Sequence, residues 1–274
     1  MIAYDDQMVK SGNNVPSART ESRLTKPVSK KVAVMTGFDA RCDQTASKLA
    51  DRLNLSLVTA DTAQPFQYLL VATPNRLELR ENRGGTTRPL YVDTTVFERR
   101  RSTLNLSRRQ PLARAIGPHT NTVVDATAGI GQDTFLLALL GYRVTAIERS
   151  AIIVALLQDG LSRAGDLLAG RVDVISGDAR EVLPNICPAP DTVYLDPMFP
   201  PKRKRSALAK KSVRTLRDLV GDDDDAMELL SVCLRCAANR VVVKRPSYVE
   251  PLKPAPSTSH EGKLVRYDVY FVKV

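Results

Sequence analysis

Asp196-Pro197-Met198-Phe199-Pro200 is a run whose residue types could act on an amino nitrogen. An exocyclic amine on a planar base has its lone pair delocalised into the ring. A carboxylate and a backbone carbonyl that both accept its N–H groups can hold it and favour its attack on an electrophile. Asp196 and the carbonyl of Pro197 are spaced for those two roles. Phe199 can stack on the base and fix its plane. The prolines stiffen the turn and remove competing N–H donors.

Upstream, Asp125-Ala126-Thr127-Ala128-Gly129-Ile130-Gly131-Gln132-Asp133 supplies the second constellation. Gly129 and Gly131 allow a sharp turn and close approach of a ligand. The N–H groups opening the following helix can receive an anionic group. A dinucleotide-binding fingerprint would place glycine at position 134, where this chain has Thr134. The run begins with Asp125, and a carboxylate there suits a ligand with an ammonium group, such as S-adenosylmethionine, better than a pyrophosphate. Glu148 can accept hydrogen bonds from both ribose hydroxyls. Asp178 can accept from an adenine amino group, or cap the next short helix.

These residues need elements that end where they stand. Apolar runs predict strands at Val123–Asp125, Arg143–Glu148, Val172–Ser176, Thr192–Leu195 and Arg240–Lys244. Helical spacing predicts helices over Thr134–Leu140, from a Ser150 cap to about Ala164, and over Met227–Ala238. Asp222–Asp225 is expected to cap the last of these. Leu264–Val274 alternates like a final strand. Repeated β-α units predict a parallel sheet covered on both faces, with ligands at the carboxyl ends of its strands. Before this unit, Lys31–Thr36, Leu55–Thr59, Tyr68–Thr73, Leu77–Arg80 and Leu90–Asp93 read as strands around a helix at Asp43–Leu53. The domain expectation is therefore a basic extension over 1–30, a small α/β domain over 31–97, a basic linker over 98–121 and a catalytic domain over 122–274.

With 40 Lys and Arg against 30 acids, the net charge of +10 favours a polyanionic partner. Lys202, Arg203, Lys204 and Arg205 begin at the mouth of the proposed base pocket, and Lys244 and Arg245 end a strand on the same side. All six are candidate RNA-phosphate contacts. Arg99, Arg100, Arg101, Arg108, Arg109 and Arg114 form a second basic stretch. Four cysteines make no disulfide framework, and Cys233 and Cys236 read as small apolar residues on a helix rather than a metal or redox pair. No metal-ligand cluster, membrane span or secretory signal is evident, so a cytoplasmic protein acting without a metal is expected.

Val123–Asp133, Tyr194–Pro200 and the run Val241-Val242-Val243-Lys244-Arg245-Pro246 resemble the small-subunit ribosomal RNA guanine-N2 methyltransferase J family, from about residue 31 to the C-terminus. The resemblance implies a Rossmann-like class I methyltransferase fold with a mostly parallel seven-stranded sheet. It implies S-adenosylmethionine as methyl donor and guanine in 16S ribosomal RNA, free or in the small subunit, as substrate. It also implies that Gln132, Asp133, Glu148, Arg149, Asp178, Ala179 and Asp196 line the cofactor site. Family members usually carry a glycine-rich stretch after a His-Arg-Arg-like run, where this chain has Glu98–Ser107. Three other readings use the same residues: an amino-methyltransferase acting on DNA or protein glutamine, a non-enzymatic RNA-binding protein on a methyltransferase fold, and a nicotinamide oxidoreductase. The last gives Asp-Pro-Met-Phe no role.

Overall fold

The computed structural model describes residues 31–82, 88–97, 107–168, 170–197 and 225–272. Its larger sheet contains β5 (Thr122–Asp125), β6 (Arg143–Glu148), β7 (Val172–Ser176), β8 (Thr192–Leu195), β9 (Arg240–Pro246), β10 (Thr258–Glu261) and β11 (Val265–Phe271). The strand order is β10-β11-β9-β8-β5-β6-β7. From β9 to β7 all neighbours are parallel, and β11 and β10 extend the sheet antiparallel. The order reverses at β5, which lies between β8 and β6. In such a sheet the crevice opens beyond the carboxyl ends of the strands at the reversal.

Alternation along these strands sorts their apolar side chains onto two faces. Val123, Val144, Tyr194 and Val242 enter one core, and Val124, Ile147, Val193 and Val241 the other. Helices α2 (Pro111–Ile116), α3 (Gln132–Leu139) and α4 (Ala151–Ala164) cover the first face. Helices α5 (Ala179–Val182) and α6 (Ala226–Cys236) cover the second. The Ser150 hydroxyl accepts from Ile153 N at 3.5 Å, placing the start of α4 where a cap was expected. Asp225 stands at the N-cap of α6 but makes no capping bond there; its carboxylate pairs with Arg149 and Arg180 instead. Asp222–Asp224 lie outside the described residues.

A smaller sheet precedes it, with β1 (Val32–Met35), β2 (Leu57–Val58), β3 (Tyr68–Ala72) and β4 (Leu77–Glu81) in the order β2-β1-β3-β4. Its helix α1 (Ala40–Leu53) is capped by Asp39, which accepts from Cys42 N at 2.8 Å, and ends at left-handed Asn54. The face Cys42, Ala46, Leu49 and Ala50 is buried. Together with Val32, Val34 and Leu70 it joins the same apolar cluster that lies under α4. Close contact helps join the two sheets: a Cβ added to Gly160 of α4 would lie 2.4 Å from Val92. Arg163 Nη2 donates to the Val92 carbonyl at 2.7 Å.

One sequence expectation needs correction, and one strand was not anticipated. Leu90–Asp93 is not a strand; it makes one bridge, Leu79 to Leu90. Thr258–Glu261, a polar segment without a strand pattern, pairs antiparallel with β11.

Candidate active site

Asp125, at the end of β5, is 1% exposed. Its Oδ1 accepts from Thr127 N at 3.2 Å and its Oδ2 from the Thr134 hydroxyl at 2.6 Å. Burial pushes its carboxyl up to about 7, against the Thr134 bond. The acid thus lies beneath the loop and ties it to α3. This corrects the expectation that it faces a ligand's ammonium group. Gly129 and Gly131 sit at φ +52° and +78°, conformations that suit glycine. Space beyond Gly129 is open, whereas a Cβ on Gly131 would meet Leu157 Cδ1 at 2.5 Å. Gln132 is exposed at the first turn of α3.

Glu148 closes the other side of this loop. Its Oε2 accepts from Gly129 N at 3.0 Å and its Oε1 from Ser150 N at 2.7 Å. The two N–H groups fix the carboxylate. Asp178 caps α5, accepting from Arg180 N at 2.9 Å, and chelates the Arg180 guanidinium at 2.6 and 3.0 Å. The Arg180 hydrogen bond, with burial opposing, holds the Asp178 carboxyl below its usual range. Arg149 and Arg180 share Asp225, so the carboxyl ends of β6 and β7 are tied to the start of α6. Ala179 is buried directly after Asp178.

Register brings the remaining groups together. In the parallel pair β8–β9, Leu195 is opposite Val243, so Asp196 and Lys244 follow side by side. Lys244 Nζ donates to Asp196 Oδ2 at 2.9 Å and to Asp133 Oδ2 at 2.7 Å. The buried Tyr194 hydroxyl donates to Asp133 Oδ2 at 2.7 Å. Tyr267 is opposite Lys244 in β11, and its hydroxyl is pushed up to about 12, by burial first and by Asp133 next. Asp196 N donates to Thr127 Oγ1 at 2.7 Å, which fastens the Asp-Pro turn to the glycine loop. Burial raises the Asp196 carboxyl to about 6 while Lys244 opposes the rise. Burial also works against the Lys244 charge, yet the two carboxylates hold its ammonium well above the ordinary lysine range. Asp196 keeps 39% of its side-chain surface exposed, so it stands at the mouth of the cluster.

The structure therefore links Asp125, Thr127, Asp196, Lys244 and Asp133 by hydrogen bonds, and ties Glu148 separately to the glycine loop at Gly129. Pro197 is buried beside Asp196. Lys244 was expected on an RNA-facing surface, but it belongs to this cluster. Arg245, expected beside it, is 5% exposed and donates to the Glu250 carbonyl, which corrects its reading as a surface contact. Phe199, Lys202, Arg203, Lys204 and Arg205 lie outside the described residues. Sequence reasoning missed Thr127, Thr134, Tyr194 and Tyr267. The signal for the two tyrosines was alternation, which puts position 194 on the sheet face shared with Val242. Cys233 is in the core, where burial holds its thiol protonated. Among the described residues no His, Cys, Asp or Glu group could hold a metal ion, and no helix is long and apolar enough to cross a membrane.

The mouth is acid-rich. Among the described residues Asp133, Glu148, Asp178, Asp196 and Asp225 outnumber the cations Lys244, Arg149 and Arg180 that contact this cluster or its flank. Such a site fits a ligand with a net positive charge held at a fixed distance from an acid–proline turn. Residues 48–272 match a family model of SAM-dependent methyltransferases. The ribosomal RNA small subunit methyltransferase J of Coxiella burnetii (strain RSA 331) is 44% identical over 251 residues, covering 88% of this chain and 97% of the relative. That of Aeromonas salmonicida is 45% identical over 238 residues, covering 82% and 92%. A solved SAM-dependent methyltransferase from Neisseria gonorrhoeae is 32% identical with a TM-score of 0.67, covering 88% of this chain and 96% of its own.

Proposed function

The chain belongs to the ribosomal RNA small subunit methyltransferase J family of SAM-dependent enzymes, and on that footing we propose that it methylates the N2 amine of a guanine in 16S ribosomal RNA. The observation that carries the proposal is Asp196 at the end of β8, fastened to the glycine loop through Thr127 and held by Lys244.

S-adenosylmethionine, when bound, supplies an electrophilic methyl group on a positively charged sulfur. In this reading the open loop at Gly129 and Gly131, with Gln132, receives its amino-acid portion, and Asp125 supports that loop from below. Glu148 and Arg149 take the ribose side, and Asp178 and Ala179 the adenine side. Asp178 shares its carboxylate with Arg180, so it meets an adenine amine with the guanidinium still in place.

The RNA base leaves its stack to reach the pocket. Asp196 and the Pro197 carbonyl accept the two N–H groups of the amine, which turns its lone pair toward the methyl, and Phe199 stacks on the ring. Lys244 keeps Asp196 ionised and fixes its rotation, and Asp133 and Tyr194 fix Lys244 in turn. The methylated amine is acidic and gives its proton to Asp196 or to water. Lys202, Arg203, Lys204 and Arg205 meet phosphates around the target. No step calls for a metal or a covalent enzyme intermediate. In this reading the work on ribosomal RNA takes place in the cytoplasm.

The test uses purified protein, labelled methyl donor and ribosomal RNA from a strain lacking the protein. Nucleoside analysis should show label in N2-methylguanosine from 16S RNA. Asp196→Ala should lower kcat by roughly 10²–10⁴-fold at saturating donor. Label in DNA or protein instead, or wild-type turnover by the variant, would refute the assignment.

A further inference from the structure

A second cationic feature lies away from the methyl-transfer cluster. Between α1, α4 and the β3–β4 turn runs a groove of about 600 Å³. Arg41, Thr45, Lys48 and Arg52 line it from α1. Their spacing of four, three and four residues puts them within about 60° of arc on one face of the helix. The stripe flanks the buried face and is about 16 Å long at the usual helical rise. All four side chains are exposed. From α4, Gln158 faces Arg52, accepting from its guanidinium at 3.4 Å.

The charges of the groove do not cancel. Its other charged lining residues are already committed. Asp39 caps α1, Asp159 pairs with Arg163, and Arg76 pairs with Glu78. Among the described residues Arg41, Lys48 and Arg52 have no acidic partner. Three aligned, uncompensated cations repel one another, and a polyanion along the stripe relieves that repulsion and releases its own counterions. Among the described residues the lining contains no aromatic side chain on which a base could stack. Contacts there are therefore to phosphate and sugar, which position a nucleic acid without reading its sequence.

We propose that this groove holds a stretch of sugar-phosphate backbone of the substrate RNA, distant from the target base, as a sequence-independent anchor. The proposal rests on the reading of the chain as a ribosomal RNA methyltransferase and adds where that RNA is gripped. Helix α4 links the two places: it starts three residues after Glu148, and its outer side forms one wall of the groove. Backbone held there is in register with the helix that borders the methyl-transfer site.

The test compares the full chain with its Arg41→Gln/Lys48→Gln/Arg52→Gln variant. Binding of a fluorescent 16S RNA fragment is followed by anisotropy from low to high salt, alongside donor affinity by calorimetry and KM and kcat for methyl transfer. Three lost contacts to single-stranded backbone should flatten the plot of log affinity against log salt by about 2, which is on the order of 50-fold at 0.15 M salt. KM should rise with kcat and donor affinity near wild type, and Arg41→Lys/Arg52→Lys should keep the wild-type slope. An unchanged slope and KM, with the same nucleotide methylated, would overturn the anchor and leave the proposed function standing. An unchanged RNA slope with activity lost only on assembled subunits would overturn it in favour of a protein partner. If the wild-type protein methylates no ribosomal RNA, the proposed function fails, a result distinct from either.

Discussion

Lys244 is the residue whose removal tests the logic of the site most directly. Its ammonium lies 2.9 Å from Asp196 and 2.7 Å from Asp133, so Lys244→Met leaves two carboxylates facing each other without the charge between them. The first consequence is on protonation. With Lys244 present, the Asp196 carboxyl stands at about 6. At pH 7 it is roughly 90% ionised and able to accept the amine's N–H. Loss of an adjacent opposite charge moves such a group up by roughly one to three pH units, and the remaining like charge acts in the same direction. The 39% exposure of Asp196 screens the effect, so the lower part of that range, about one to two, applies here. The ionised fraction at pH 7 then falls by roughly two- to tenfold, and kcat with it. The assay is a pH profile of kcat for both proteins at saturating donor and RNA. The acid limb should move from near 6 to about 7–8, and by pH 8.5 the variant should regain at least half of wild-type turnover. An unmoved limb, or a loss of equal size at every pH, would show that Lys244 does not act through the ionisation of Asp196.

Two further substitutions probe the loop that carries the site. Gly131→Ala forces a side chain into a left-handed backbone and within 2.5 Å of the Leu157 methyl, and should destabilise the fold by about 1–3 kcal/mol, read as a lowered Tm and weaker donor binding. Asp125 is expected to make stability fall with rising pH. Its folded-state carboxyl is raised from 3.8 to about 7, so its contribution is complete below about pH 4 and is lost as pH climbs through 7. Asp125→Asn can keep the bonds to Thr127 and Thr134 without titrating. Between urea unfolding at pH 5 and at pH 8 the variant should gain roughly 2–3 kcal/mol relative to wild type. No difference between the two pH values would mean that the native carboxyl is already ionised.

How legible each part was in the sequence follows from how local its cause is. Arg143–Glu148, Val172–Ser176 and Thr192–Leu195 are strands with the bounds their apolar runs indicate; the first and last are largely buried, whereas the middle one is a partly exposed edge strand, and each is followed by a residue that turns or caps. Thr258–Glu261 carries no such run; it is a strand because β11 offers it an antiparallel edge, with partners no more than eleven residues away in sequence yet absent from the segment itself. Leu90–Val92 has the apolar character of a strand, but its burial comes from packing on Gly160 and it makes a single bridge. The placement of the acids at strand ends was legible because the apolar runs of β5, β6 and β8 end at or directly before them. What each acid touches was not. Asp125 reads as a ligand contact until Thr127 and Thr134 are seen to occupy it.

The pair Lys244-Arg245 shows why charge composition alone misplaces function. Adjacent residues of a strand point to opposite faces, so two neighbouring cations on β9 cannot serve one surface. Lys244 enters the face shared with Tyr194 and Tyr267 and meets Asp196 and Asp133, whereas Arg245 turns into the other side and is buried. The choice between them is made by register: Leu195 opposite Val243 sets Asp196 beside Lys244, and a slip of one residue would bring Arg245 into line on the wrong face. The apolar residues Val241 and Val243 hold that register, since the same slip would carry them out of the core they share with Val193 and Leu195. The ion cluster at the mouth is thus specified by hydrophobic pairing several residues below it. Substitutions in that pairing should reach catalysis through the position of Lys244 before they reach the fold.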